Sequence, residues 1–313
     1  MVNTSIPTVD LSPFFNEGDE DGRKKATEMI THACSVYGFF QIVNHGVPLS
    51  LMNKALELSK TFFEYSMEEK LKSSPNDGAP LPAGYNIQPK NSADKNEYLL
   101  MFPPGSNFNV YPNDPTEFRK VMEEMFSHFT KAAFLVESIV NDCLGLPPKF
   151  LEEYNNDRSW DFMVALRYFP ATEKENNGIS EHQDGNCITF VFQDKGGLEV
   201  LKDGVWIPVV PIEGSLIVNL ADIIQVLSNN KFKSATHRVV RPEGTTRHSF
   251  AFFNTIEGNK WVEPLPQFTK EIGEPAKYKG FFYKDYQIQR MRNKTHPPSN
   301  PEDVIHITHY AIP

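Results

Sequence analysis

The spacing of apolar residues divides the chain into two parts of different character. In the first part, apolar side chains recur every three or four residues, which predicts amphipathic helices. This spacing occurs in three segments, residues 23–38, 50–73 and 115–144. Two short alternating runs, residues 6–11 and 38–47, are typical of strands. Residues 73–97 are rich in Pro, Gly and Asn, so we expect an irregular connection there.

The longest predicted helix carries recognisable end signals. Asp114 suits the N-cap, Pro115 suits the first helical position, and Glu117 suits the third position of a capping box. Gly145 is a typical residue just beyond a helix C-terminus. Between these ends, a core-facing stripe is predicted from Phe118, Val121, Met122, Met125, Phe129, Ala132, Val136, Ile139 and Val140.

From residue 160 onwards the chain consists of short strand-like runs separated by Gly, Pro, Asn and Asp. The runs are "DFMVALRYFP", "CITFVFQD", "GLEVL", "VWIPVVP", "SLIVNLAD", "ATHRVV" and "HSFAFF". Their close spacing, without long helices between them, predicts two packed sheets or a closed barrel. A helical pattern returns at residues 275–294. We therefore expect an α+β fold, in which a mainly helical region with short strands, residues 1–150, and a β-core with a C-terminal helix, residues 151–313, form one compact unit.

Composition and charge narrow the class of protein. The chain has 313 residues, of which 40% are hydrophobic, so a substantial core is available. The net charge of -9 and the pI near 5.5 argue against a nucleic-acid partner. Neither a signal peptide nor a membrane-spanning run is evident. The three cysteines form no CxxC pair, which suits a reducing compartment. We expect a cytoplasmic monomer that does not bind membranes.

A candidate metal site begins at the motif "HQDG". Residues two apart on an extended strand face the same side, so His182 and Asp184 are expected to project together. His237, in a later predicted strand, supplies a third ligand. Two histidines and one carboxylate with open positions are the ligand set of non-haem Fe(II) oxygenases. The alternative is that each histidine is an ordinary strand residue, and the HxD motif alone does not exclude this.

A candidate carboxylate pocket follows His237. The sequence "RPEG" at 241–244 is typical of a turn, and a hairpin closed there returns Arg247 close to His237. Arg247 and Ser249 share one face of the next strand, where a guanidinium and a hydroxyl form a receptor for a carboxylate. A surface salt bridge is the usual role of a single Arg. The strongly apolar strand around Arg247 makes the pocket the better interpretation.

These motifs together resemble the plant-type 2-oxoglutarate- and Fe(II)-dependent dioxygenases, such as flavonol synthases, gibberellin oxidases and hyoscyamine hydroxylases. The resemblance rests on HxD, the distal His237, and the RxS motif ten residues after it. It extends to "IPTVDLS", to "YGFFQIVNHGVP" and to the long block "GGLEVLKDGVWIPVVPIEGSLIVNLADIIQVLSNNKFKSATHRVV". It therefore covers nearly the whole chain.

The resemblance implies a double-stranded β-helix (jelly-roll) core flanked by helices. It implies Fe(II) bound by His182, Asp184 and His237, and 2-oxoglutarate held by Arg247 and Ser249. In such enzymes 2-oxoglutarate is decarboxylated to succinate while O2 oxidises a small molecule, and ascorbate stimulates the reaction. The oxidation is a hydroxylation, a desaturation or a ring closure.

One segment departs from the family pattern. These enzymes usually carry Asn-x-Tyr before the HxD strand, and its Tyr helps to bind 2-oxoglutarate. Here Arg167 and Phe169 occupy those places, with Tyr168 between them. We count Tyr168 as a candidate co-substrate contact, although an ideal strand turns it away from the side of the usual Tyr. Other residues considered for the substrate pocket are Tyr85, Tyr98, Phe102 and Phe281, and for an anionic substrate Arg167 or Lys95.

The sequence thus predicts a 2-oxoglutarate-dependent dioxygenase that acts on a mid-sized plant metabolite. A gibberellin-type terpenoid, a flavonoid and an alkaloid are the expected substrate classes. Two alternatives stay open. The length and "LKDGVWIPV" also resemble the ascorbate-using aminocyclopropane-carboxylate oxidases. The other alternative is a protein that has lost catalysis and only binds a small molecule. The intact His-Asp-His triad and the intact RxS motif argue against it.

Overall fold

The computed structural model describes residues 5–75, 81–295, 300 and 303–313. Within this part of the chain the helices are α1 Glu20–Val36, α2 Leu49–Phe63, α3 Met67–Leu71, α4 Phe118–Leu144, α5 Phe150–Tyr154, α6 Asp222–Leu227 and α7 Tyr283–Thr295. Short 3-10 turns occupy Ser12–Phe14, Pro266–Phe268 and Ile307–Tyr310. No helix among these residues is both long enough and apolar enough to span a membrane.

The strands are β1 Thr8–Asp10, β2 Phe39–Val43, β3 Gly84–Ile87, β4 Asn96–Met101, β5 Phe162–Tyr168, β6 Asn177–His182, β7 Ile188–Gln193, β8 Leu198–Lys202, β9 Val205–Pro208, β10 Leu216–Leu220, β11 His237–Val240, β12 Arg247–Asn254, β13 Trp261–Val262 and β14 Phe281–Phe282. A large sheet has the order β1-β2-β10-β7-β12-β5-β4-β3, and a small sheet has the order β6-β11-β8-β9. Strands β13 and β14 form a separate pair. The two facing sheets make the jelly-roll core.

Alternation along the strands of the large sheet separates two buried regions. Its outer face packs against the helices, and Phe252 of β12 stacks on Phe129 of α4 with ring centroids 5.7 Å apart. Its inner face packs against the small sheet, and this inner cluster includes Leu166, Val200 and Val239. The interior between the sheets is therefore lined by side chains whose positions are set by strand register.

The predicted long helix is confirmed, but its start differs. Helix α4 begins at Phe118 after Glu117, which makes no side-chain cap, so the predicted N-cap at Asp114 is wrong. The amide of Phe118 donates to the carbonyl of Pro115, which shows that a turn precedes the helix. Gly145 ends α4 in the left-handed conformation with φ of 71°, as expected for a C-terminal glycine. All members of the predicted stripe are buried.

The seven predicted strand runs of the second half are all present, while two other regions differ from expectation. Residues 73–97 contain β3 and the start of β4, since Gly and Asn there belong to strands that pair across the sheet edge. The hairpin expected between β11 and β12 does not form. Strand β11 already has β6 and β8 on its two edges, so the chain crosses at 241–246 into the large sheet.

Candidate metal centre and co-substrate pocket

His182, Asp184 and His237 meet at one end of the interior. His182 is the last residue of β6 and pairs directly with His237, the first residue of β11. Their ring centroids lie 4.3 Å apart, and Asp184 follows in the loop after β6. One ligand atom from each of the three residues lies within 4.8 Å of the others. The pairing of β6 with β11 therefore brings His237 to His182 and Asp184, which lie in a distant part of the sequence.

Both imidazoles turn the same ring nitrogen towards Asp184. Nδ1 of His182 donates to the carbonyl of Ser180 at 2.8 Å, and Nδ1 of His237 donates to the carbonyl of Ala235 at 3.1 Å. The Nε2 atoms consequently face Asp184 Oδ1, at 3.4 Å from His182 and 3.7 Å from His237. A backbone partner on Nδ1 is the usual way in which a metal-binding histidine is oriented.

The carboxylate of Asp184 is divided between two roles. Oδ2 accepts hydrogen bonds from Thr189 Oγ1 at 2.7 Å and from Asn219 Nδ2 at 2.8 Å, while Oδ1 points to the imidazoles. Burial raises the pKa of Asp184, but His237, His182 and Asn219 outweigh that effect and hold it well below the usual range. An ionised carboxylate and two imidazole nitrogens are a donor set that fits Fe(II).

One row of inward-facing side chains crosses the large sheet beside this triad, and we call it the metal row. Strand register places five residues side by side in it: Phe39, Asn219, Thr189, Phe253 and Phe162. Phe39 makes an edge contact with His237, with ring centroids 5.1 Å apart. At the other end, the rings of Phe162 and Phe253 are stacked 4.4 Å apart and are only partly buried. The metal row thus supports the triad on one side and ends in an aromatic pair on the other.

Arg247 lies deeper in the same interior and is 1% exposed. Its Nε donates to the carbonyls of Lys195 and Gly196 at 3.2 and 3.1 Å. One terminal nitrogen contacts Ser249 Oγ at 3.4 Å, and the other donates to Gln193 Oε1 at 2.6 Å. Its hydrogen-bond partners in the described part of the chain include no carboxylate. A buried guanidinium with a hydroxyl beside it is therefore suited to a ligand carboxylate.

Gln193 completes this pocket and was missed at the level of sequence. It pairs with Ser249 across β7 and β12, and its Nε2 is buried without a hydrogen-bond partner in the described part of the chain. An orphaned buried donor is costly, and an anionic ligand would satisfy it. The sequence did contain a sign of this role: Gln193 is a polar residue at a core-facing position of an otherwise apolar strand. The same signal applies to Thr189 and Asn219, whose polar side chains also interrupt apolar strands.

Tyr168 faces the pocket, so the expectation that the strand turns it away from the co-substrate side is corrected. It pairs directly with Arg247 across β5 and β12, and directly opposed residues share a face of the sheet. The Arg247 guanidinium lies 4.6 Å from the centroid of the Tyr168 ring, and Tyr168 is 2% exposed. Tyr168 does face the opposite side of β5 from Arg167, as the alternation predicts. Only the pairing of β5 with β12 shows that Arg247 lies on the side of Tyr168.

Arg167 faces the opposite side and forms part of a buried ionic cluster. Its NH1 donates to Glu97 Oε1 at 3.1 Å. The other oxygen, Glu97 Oε2, accepts hydrogen bonds from Lys70 Nζ at 2.8 Å and from the Tyr85 hydroxyl at 2.5 Å. The cluster joins α3, β3, β4 and β5 behind the large sheet. Arg167 therefore is not placed to compensate an anionic substrate, and Tyr85 packs outside the interior.

The remaining pocket candidates divide in the same way. Phe281 packs on Tyr286 in the outer cluster, and Lys95 holds the backbone carbonyls of Lys90 and Ser92. Phe102 belongs to the inner cluster, but it is fully buried and contacts Phe108. Only Tyr98, among these candidates, is partly exposed and belongs to the inner face. Burial raises the pKa of its hydroxyl to about 12.

Two family models match different parts of the chain. The model of the 2OG-Fe(II) oxygenase superfamily matches residues 160–256. A model described as non-haem dioxygenase in morphine synthesis N-terminal matches residues 6–125. An Arabidopsis thaliana protein named 1-aminocyclopropane-1-carboxylate oxidase 5 is 32% identical, over 95% of this chain and 97% of its own length. The chain belongs to the 2OG-Fe(II) oxygenase superfamily.

Further similarities are consistent with this membership. The Arabidopsis thaliana flavonol synthase/flavanone 3-hydroxylase is 31% identical, over 92% of this chain and 86% of its own length. A solved structure described as JOX2 in complex with 2OG, Fe and JA superposes with a TM-score of 0.85. It is 26% identical and covers 99% of this chain and 90% of JOX2. The protein described here is therefore a dioxygenase with the jelly-roll fold. Its cofactor is Fe(II) and its co-substrate is 2-oxoglutarate.

Fe(II) supplies the centre at which 2-oxoglutarate and O2 react. The residues of the chain provide the metal donors, a fixed positive charge and an apolar enclosure. The ionised Asp184 and the two oriented imidazoles provide three donors on one side. Arg247 provides fixed positive charge deeper in the interior, and the apolar side chains between the sheets limit access of water.

Proposed function

We propose that this protein is an Fe(II)- and 2-oxoglutarate-dependent oxygenase of small-molecule metabolism. It hydroxylates, desaturates or cyclises a mid-sized plant metabolite, of the gibberellin-type terpenoid, flavonoid or alkaloid class. His182, Asp184 and His237 bind the iron, Arg247 and Ser249 hold the distal carboxylate of 2-oxoglutarate, and Tyr168 supports co-substrate binding through its ring, which lies over the Arg247 guanidinium. The observation that carries the proposal is the shared interior, in which an oriented His-Asp-His set and a buried Arg247 face the same space.

The character of the interior supports an apolar substrate. Partly buried apolar side chains that pack against the inner cluster include Tyr98, Phe162, Val191, Phe253 and Met291. The stacked pair Phe162 and Phe253 lies in the metal row, beside Thr189. Partly exposed aromatic side chains next to a metal site provide a flat apolar surface for a ring system.

An aminocyclopropane-carboxylate oxidase is the second candidate, because relatives of that name match nearly the full chain at 30 to 32% identity. A small amino-acid substrate carries both a positive and a negative charge, which need partners inside a dry site. Among the inward-facing residues of β2, β10, β7, β12, β5 and β4, Arg247 is the only charged side chain, and Asp10 of β1, in the same phase, is exposed. This favours the 2-oxoglutarate-dependent reaction.

The test is a coupled assay with purified protein loaded anaerobically with Fe(II). After O2 and 2-oxoglutarate are added, succinate is quantified with a panel of gibberellin precursors, flavanones and alkaloids. We expect succinate to rise with members of one class and to disappear in His182→Ala. Ethylene from aminocyclopropane carboxylate, without succinate, would establish the second candidate instead. Fe(II) binding with neither product would favour a protein that only binds small molecules.

A further inference from the structure

Helix α7 lies directly against the loop that follows His182 and contains Asp184, two of the proposed metal ligands. We call residues 183–186, after His182, the metal loop. A Cβ atom placed on Gly185 would lie 3.5 Å from Tyr286 Cε1 and 3.6 Å from Arg290 Nε. These are ordinary van der Waals distances, so the backbone of the metal loop packs against two side chains of α7.

Arg290 holds the metal loop by a direct hydrogen bond. Its NH2 donates to the carbonyl oxygen of Gln183, the residue between His182 and Asp184. The side chain of Gln183 is separately fixed, since its Nε2 donates to the carbonyl of Ser234 at 2.5 Å. The peptide between the two proposed ligands is thus held from both its backbone and its side chain.

Tyr286 provides a second attachment on the same helix. Its hydroxyl donates to Asp222 Oδ2 at 2.5 Å, and the amide of Asp222 donates to the carbonyl of Asp184 at 2.9 Å. Tyr286 is fully buried, and its ring lies 5.9 Å from the Arg290 guanidinium. Helix α7 is consequently connected to the backbone of the metal loop at two consecutive residues, directly at Gln183 and through Asp222 at Asp184.

Arg290 also contacts the C-terminal segment, which we define as Ile305–Tyr310. Its NH1 lies 3.4 Å from the carbonyl oxygen of Ile305 and 3.4 Å from His306 Nδ1. Asn293, one turn further along α7, donates to the same carbonyl at 2.7 Å and accepts from the amide of Ile305 at 3.2 Å. One guanidinium therefore bridges the metal loop and the C-terminal segment.

We propose that Arg290 is a positioning residue for the metal centre and couples the affinity for Fe(II) to the ordering of the C-terminal segment. The inference rests on the proposed metal site. The bond from Arg290 to Gln183 restricts the peptide from which His182 and Asp184 project, so it lowers the entropy lost when both ligands bind one ion. Coupling between two sites is reciprocal, so metal binding must in turn stabilise the C-terminal segment.

Metal titration of Arg290 variants tests the first part. The dissociation constants of Fe(II) and of Co(II), as a redox-stable probe, are measured without O2 for the wild type, Arg290→Ala, Arg290→Lys and Arg292→Ala. Arg292 is exposed on the same helix and serves as the matched control. We expect about tenfold weaker binding in Arg290→Ala, near the lower end for residues that support metal ligands. Arg290→Lys retains one donor and is expected to recover part of the loss.

Hydrogen exchange tests the coupling. If Arg290 had only a structural role, the exchange rates of amides in the C-terminal segment would not depend on bound metal. Within the C-terminal segment, the backbone amides of Ile305 and His309 each donate a hydrogen bond. We expect Co(II) to slow their exchange in the wild type and in Arg292→Ala, and to have no such effect in Arg290→Ala. Comparable thermal midpoints and circular dichroism spectra identify the variants as folded.

The outcomes separate this inference from the proposed function. A wild type that binds no Fe(II) or Co(II) would overturn the metal site and the inference with it. Normal wild-type binding that is lost in His182→Ala, with an unchanged dissociation constant in both Arg290 variants, would overturn the inference alone. Weaker metal binding without any metal-dependent change in exchange would overturn the coupling.

Discussion

Tyr168 and Arg247 face each other directly across the pairing of β5 and β12, with the guanidinium 4.6 Å from the centre of the phenol ring. The ring covers one side of a buried cation whose edges are held by backbone carbonyls and by Gln193. This arrangement leaves the guanidinium little freedom to rotate. It is the basis of the proposed contribution of Tyr168 to the co-substrate pocket, although Tyr168 does not occupy the position of the tyrosine that is usual in the family.

Removing the Tyr168 ring should weaken binding of 2-oxoglutarate. A cation on an aromatic face contributes about 0.5–2 kcal/mol, so Tyr168→Ala is expected to raise the KM for 2-oxoglutarate by about 2- to 30-fold. Tyr168→Phe keeps the aromatic face and should stay near the wild-type value. The measurement is succinate formation at varied 2-oxoglutarate and saturating Fe(II). Equal KM values for all three proteins would show that the stacking does not support co-substrate binding.

Replacing Gln193 with Glu should impair the same pocket by charge. The new carboxylate would lie beside Arg247, where Gln193 Oε1 now accepts a bond of 2.6 Å, and would repel the carboxylate of 2-oxoglutarate. We expect the KM for 2-oxoglutarate to rise at least about tenfold, while the affinity for Fe(II) is unchanged. Gln193→Leu, which adds no charge, should have a smaller effect. A larger loss in the Leu variant would contradict this explanation.

Thr189 should affect the metal and not the co-substrate. Thr189→Val preserves the shape of the side chain but removes the donor to Asp184 Oδ2. Loss of such a supporting hydrogen bond is expected to weaken metal affinity about tenfold. Thr61→Val, on the exposed face of α2, is the matched control. Anaerobic Co(II) titration measures the difference, and equal affinities of the two variants would be evidence against the role assigned to Thr189.

The buried cluster around Glu97 should contribute strongly to stability. Glu97 is fully buried and pairs with Lys70 and Arg167. Glu97→Gln would leave the buried Lys70 without its carboxylate and would leave Arg167, which is partly exposed, with Glu64 alone. Breaking a buried ion pair costs on the order of 3–5 kcal/mol. Urea unfolding measures the free energy. Glu117→Gln removes an exposed pair with Lys54 and should alter it little. Similar losses in the two variants would show that burial of the cluster is not decisive.

Asp161 should make stability depend on pH near neutrality. Burial raises its pKa from 3.8 to about 7, although the amide of Thr255 donates to its Oδ1 at 2.7 Å. The folded protein therefore keeps a proton that the unfolded chain releases above pH 3.8. The resulting stability is full below that pH and is lost as the pH rises to about 7.

The matching experiment compares the free energy of unfolding of the wild type and Asp161→Asn from pH 5 to pH 8. The Asn side chain can still accept from Thr255 but does not ionise. We expect the wild type to lose stability with rising pH, by at most about 1.4 kcal/mol per pH unit, and the variant to lose less. Asp203→Asn, in an exposed turn, should follow the wild type. Parallel curves for wild type and Asp161→Asn would rule out this carboxyl as the cause.

The elements of the chain could be predicted largely from its sequence, because local spacing records which side each residue presents to the core. The apolar stripe of α4, the left-handed Gly145 and the alternating faces of β12 are local properties. The HxD motif, His237 and the RxS motif could likewise be identified as candidate ligands, since their residue types carry the chemistry. Helix α6 was missed, and only the end of β6 was anticipated: the strand expected to carry both His182 and Asp184 ends at His182, so Asp184 lies in the loop that follows.

What only the tertiary structure decided is which residues face each other. The pairing of β12 with β5 places Tyr168 over Arg247, and the pairing of β7 with β12 brings Gln193 to Ser249. The separation of β11 and β12 into different sheets replaced the expected hairpin. Arg290 reaches Gln183 from more than a hundred positions away along the chain. Such contacts depend on strand register and helix docking, which are set by the packing of the whole core and leave no periodic trace in the sequence.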